Sequence, residues 1–84
     1  MRAWYSRDGK TMINLDRITS FRYYDMSDVE RYSNPHGGGA PQHINEVKQY
    51  GHFIVLREGG YEYSFRGDEA LEIYNILKNQ KQIL

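Results

Sequence analysis

The chain has 84 residues, with eleven basic and eleven acidic side chains, eight tyrosines and no cysteine. At this length one domain with one thin core is the limit, since such a chain buries only roughly 60–65% of the surface it exposes when unfolded. The cancelled charge argues against nucleic-acid and anionic-membrane partners, and the absence of thiols excludes a disulfide framework and any thiolate site.

Residues 1–8 lack the apolar stretch of a signal peptide. No apolar run approaches the ~18 residues of a membrane span. A soluble, cytoplasmic protein is expected. Residues 1–15 read as a first hairpin, because Asp8-Gly9 is a strong two-residue turn signal. That turn pairs Trp4 with Ile13 and Tyr5 with Met12. Trp4, Ile13 and Leu15 form the more apolar set and are assigned to the core. Leu15 and Ile18, three apart, then suggest a helical turn or corner with both side chains inward.

Strand character resumes at Thr19 and is expected to run from about Ile18 toward Tyr32, and a fourth strand from about Ile44 to Arg57. Between them, Ser33-Asn-Pro-His-Gly-Gly-Gly-Ala-Pro-Gln42 is rich in residues that break strands. The economical reading is a long protruding hairpin whose tip or insertion spans residues 27–43. The tip would project into solvent or pack on another copy. A disordered insertion has the same composition.

Phe53-Ile-Val-Leu-Arg-Glu-Gly-Gly-Tyr-Glu-Tyr-Ser-Phe-Arg66 is a second glycine hairpin. Gly59-Gly60 suits a type I′ turn and puts Ile54 opposite Phe65 and Leu56 opposite Tyr63 on an apolar face. Arg57 falls opposite Glu62, Val55 opposite Ser64 and Phe53 opposite Arg66 on the other. Gly67-Asp68 then starts a helix, with Asp68 as its cap, and Ala70, Ile73, Tyr74 and Leu77 make its apolar stripe.

Lys10-Thr-Met-Ile-Asn-Leu-Asp-Arg-Ile-Thr-Ser-Phe21, the Phe53–Phe65 hairpin and Asp68-Glu-Ala-Leu-Glu-Ile-Tyr74 together resemble the small flagellar FlbD-type family. Small bacterial and phage proteins share this plan of hairpin, "Asn-Leu-Asp-x-Ile" corner, glycine hairpin and C-terminal helix. The resemblance implies architecture and no functional residue.

The expected fold is α+β: an antiparallel sheet of about five strands with a single C-terminal helix on one face. His36, His43 and His52 lack metal-helix spacing, and no metal or cofactor is implied. Gly37-Gly38-Gly39 lacks the ending of a phosphate loop, though its N–H groups could close on a ligand. Asp25, Asp28 and Glu30 read as a solvated acidic patch, and no motif places a nucleophile, so the chain is read as a non-enzyme.

Strand parity gathers Tyr5, Met12, Arg22, Tyr24, Phe53, Val55 and Arg66 on the second sheet face, although a one-residue slip would exchange Arg22 and Tyr24 for Phe21 and Tyr23. Rings beside arginines suit a subunit interface or a planar anionic ligand. Because one helix can cover only one sheet face, a homo-oligomer is expected, most simply a dimer. The candidate ligand contacts are Tyr5, Arg22, Tyr24, His36, Gly38, His43, Phe53 and Arg66. They would form a nucleotide-type site between copies, the form a phage sponge for an immune signalling nucleotide would take. The alternative is a protein–protein adaptor that docks its long hairpin arm on a partner. Nucleic acid is disfavoured by the neutral charge.

Overall fold

The computed structural model of the chain describes residues 2–32 and 43–79. The chain is α+β, with, among the described residues, five strands divided between two small antiparallel sheets and a C-terminal helix. The first sheet is the hairpin β1 (Ala3–Tyr5) and β2 (Met12–Asn14). The second has the order β3 (Ser20–Tyr24), β4 (Phe53–Glu58), β5 (Tyr61–Arg66). Among the described residues the strands do not join into the single five-stranded sheet expected. The Leu15–Arg17 3-10 turn ends the first hairpin and turns the chain into a corner, with Leu15 buried and Ile18 half-buried.

Both hairpins have the expected register, though the first is closed not by a two-residue Asp8-Gly9 turn but by a Ser6–Gly9 turn, the Gly9 N–H donating to the Ser6 carbonyl at 2.9 Å inside the loop that joins Ser6 to Thr11. Trp4 faces Ile13 and Tyr5 faces Met12. Ile54 faces Phe65, Leu56 faces Tyr63 and Arg57 faces Glu62. The Gly59-Gly60 turn differs in kind from the expected one. Gly59 alone of the pair has positive φ, at 58°, which is the pattern of a type II′ turn rather than I′. Either turn twists with the strands and leaves the same register.

The larger departure lies on either side of residues 33–42. The expected strand extensions are helices, α1 (Met26–Tyr32) and α2 (His43–Tyr50). Asp25 starts α1. Its Oδ1 accepts hydrogen bonds from the Ser27 N–H at 3.0 Å and hydroxyl at 2.6 Å, while Asp28 Oδ2 accepts from the Asp25 N–H at 2.9 Å. This is a reciprocal capping box. The acidic residues taken for a solvated patch thus include two that begin a helix. Gly51 ends α2 with φ 87°, its N–H bonded to the Val47 carbonyl at 2.7 Å. The long hairpin arm of the adaptor reading is therefore absent among the described residues, and residues 33–42 lie outside them.

These helices give the sheet a cover on each face. On one side Trp4, Ile13 and Leu15 of the hairpin join Ile54, Leu56 and the buried stripe Ala70, Ile73 and Leu77 of α3 (Asp68–Asn79). Trp4 locks this side: its ring meets Phe65 edge-on at 4.8 Å, and its indole N–H donates to Glu72 at 3.0 Å. The α3 start is shifted by one residue from expectation. The Gly67 carbonyl accepts the Leu71 N–H, so Asp68 and Glu69 lie in the first turn. On the other side Val29, Ile44 and Val47 bury Phe53, with Tyr24 and Val55 packed alongside. No helix among the described residues is long and apolar enough to cross a membrane.

Candidate functional site

β3 pairs with β4 so that Arg22 faces Val55 and Tyr24 faces Phe53. This is the register that puts Arg22 and Tyr24 on the second face, and the slipped alternative is ruled out. The same parity sets Arg57 opposite Ser20, one diagonal step from Arg22. Diagonal neighbours of this kind lie roughly 7–8 Å apart.

The face divides in two. Its Phe53 end lies under α1 and α2, where Phe53 is 8% exposed. The apolar surplus that called for a second copy is thus met by the chain's own helices. The other end is a groove of about 400 Å³, walled by Arg22, Tyr24, His43, Val55, Arg57 and Glu62. His43, the first residue of α2, is stacked between rings: 4.4 Å from Tyr24 and 5.8 Å from Phe53, centroid to centroid.

Arg22 and Arg57 are both exposed, and among the described residues neither forms an ion pair. Glu62 stands opposite Arg57 in register without closing to an ion pair. The groove therefore presents two guanidinium groups next to a ring stack, with one carboxylate on its wall. Guanidinium forks match phosphate and carboxylate oxygens in pairs, and a planar ring system can extend an existing stack.

Of the expected contacts, the fold brings Arg22, Tyr24, His43 and Phe53 together, Phe53 as a buried support rather than an open surface. Arg66 shares their face but is turned to α2, with Glu46 at 3.2 Å and the Tyr50 ring at 5.4 Å. Tyr5, 62% exposed, belongs to the other sheet. Met12 goes with it. His36 and Gly38 lie outside the described residues. Arg57 and Glu62 were missed as site residues because a cross-strand charge pair explained them. Parity alone would have placed Arg57 beside Arg22.

His52 also has a defined place. The Tyr23 hydroxyl and His52 Nδ1 are 2.5 Å apart, and the Tyr23 ring lies flat on Tyr74 at 3.9 Å. Burial raises the Tyr23 hydroxyl above its ordinary pKa, with Asp25 adding to the effect. This cluster joins β3, the start of β4 and α3. Among the described residues no group of three His, Asp or Glu side chains is placed to hold a metal ion.

Comparison with protein-family models, with curated proteins and with solved structures found no match for this chain. Nothing in it bears on the FlbD-type resemblance.

Proposed function

We propose that this chain is a small, non-catalytic binding protein that takes a planar, anionic ligand of nucleotide type into the groove at the second sheet face. One observation carries the reading: Arg22 and Arg57 are diagonal neighbours next to the Tyr24–His43 stack, and among the described residues neither closes into an ion pair, although Glu62 faces Arg57 in register. Two like charges on diagonal cross-strand positions repel each other, and a phosphate between them relieves that part of the repulsion the Glu62 carboxylate leaves. The base or another flat ring would lie against Tyr24 or His43. The groove volume of about 400 Å³ suits a small ligand. A phage protein that sequesters an immune signalling nucleotide is one setting for such a site.

Isothermal titration with a panel of cyclic nucleotides and ADP-ribose derivatives tests the reading. A member of the panel should bind, and Arg22→Ala or Arg57→Ala should each weaken it roughly tenfold to a hundredfold, the worth of one charge-assisted contact. Heat with none of them, or binding indifferent to both arginines, overturns the assignment.

A further inference from the structure

We infer that β5 is a pairing edge for a second copy of the chain, joined antiparallel about a two-fold axis at Ser64. The inference does not depend on what the groove binds. β5 is an edge of its sheet. Its hydrogen-bonding parity is set by the Gly59-Gly60 turn, which closes on Glu58 and Tyr61, and by the Gly67 N–H donating to the His52 carbonyl at 2.9 Å. Residues opposite each other alternate between bonded and non-bonded pairs. Tyr61, Tyr63 and Phe65 therefore bond to β4, while Glu62, Ser64 and Arg66 turn their N–H and C=O groups outward. All three residues are exposed, and among the described residues those outward groups take no partner. The edge lacks several of the usual guards: it has six residues, no proline, no lysine and an unbroken register, and its charged residues, Glu62 and Arg66, are of opposite sign.

The charges select the occupant. Outward groups must meet outward groups, which leaves few registers. Centring the pairing on Ser64 sets Glu62 against Arg66 of the other copy, twice, with Ser64 against its own copy. Shifting by two residues loses a bonded pair and both charge matches. The same register lays Tyr63 against Phe65 on the α3 face, an aromatic cross-strand pair of the kind that stabilises sheets. Arg66 already contacts Glu46, but a guanidinium has five N–H donors and can hold a second carboxylate. The register also carries Tyr61, 73% exposed, to the partner's Gly67. There a cleft of about 560 Å³ opens between the β1–β2 loop and Tyr50, floored by Phe65 and Arg66. The most exposed aromatic among the described residues of one copy thus meets an open cleft of the other.

Gel filtration with light scattering on the full chain, from micromolar to millimolar concentration, is the test. The mass should rise to twice the 10.0 kDa of the chain. Ser64→Pro removes the central outward N–H and spares the β4 ladder, so it should remain monomeric with an unchanged far-ultraviolet spectrum. Glu62→Arg and Arg66→Glu should each weaken the dimer by about tenfold or more, and the double exchange should restore it. Should Ser64→Pro fail to fold, the charge exchange decides the matter alone. A chain that is monomeric throughout, a folded Ser64→Pro that still dimerises, or a double exchange without rescue overturns the inference.

Discussion

Replacing Ile44 by alanine tests whether the helix pair truly roofs the second sheet face. Ile44 is 1% exposed and packs with Val29, Val47 and Phe53. The substitution deletes three buried carbons, worth about 2–3 kcal/mol at ~0.8 kcal/mol each. Incomplete collapse of the resulting cavity takes the cost toward about 3–4 kcal/mol. Alanine is the better helix former, but by less than ~0.7 kcal/mol, so packing wins. A domain of this size has about 4–13 kcal/mol of stability in all, so the variant keeps only part of it. Urea and thermal unfolding should show a loss of about 3 kcal/mol, or roughly 12–24 °C in Tm. Lys48→Ala, at an exposed position on the same helix, should stay within about 0.5 kcal/mol of the parent and serves as control. If Ile44→Ala is as mild as Lys48→Ala, residues 43–50 do not cover the sheet, and the division of that face into a roofed and an open half is wrong.

Gly59→Ala should cost about 1–2 kcal/mol, because φ is 58° there, whereas Gly60→Ala should be near neutral; a Cβ at either meets nothing within 4 Å, so unfolding midpoints read the turn type directly. Tyr23, raised above the ordinary value of 10.0 by burial, keeps its proton in the folded chain where the unfolded chain has lost it. Its contribution is complete below that ordinary value and disappears as pH rises through the folded one, so Tyr23→Phe should flatten the alkaline fall in stability seen by denaturation at stepped pH. Asp16 is held below the ordinary 3.8 by the Arg2 side chain and then by the Arg2 N–H, each at 3.0 Å. That stabilisation is present above the unfolded value and lost as pH falls through the folded one. Arg2→Ala should move the Asp16 titration back up, as followed by NMR of its carboxyl carbon.

What could be read from the residues was what local chemistry decides. Gly9 and Gly59-Gly60 sit in short loops, and a period of two then leaves no freedom in which side chains face each other. The α3 stripe was legible for the same reason. Residues 26–32 and 43–50 were misread because Val29, Ile44, Val47 and Tyr50 suit a strand as well as a helix. The deciding signals were small: aspartates three apart at Asp25 and Asp28, a three-residue spacing from Ile44 to Val47, and Gly51 after Tyr50. Helices of seven and eight residues do not hold by themselves. They persist by burying Val29, Ile44 and Val47 on Phe53, and that is tertiary information. The site inherits this division. Short helices roof only the apolar end of the face, so the cationic end, with Arg22 and Arg57, is left as open surface. Among the described residues the groove thus lies where the roofing helices end, and its charge follows from Arg22 and Arg57 standing beyond them.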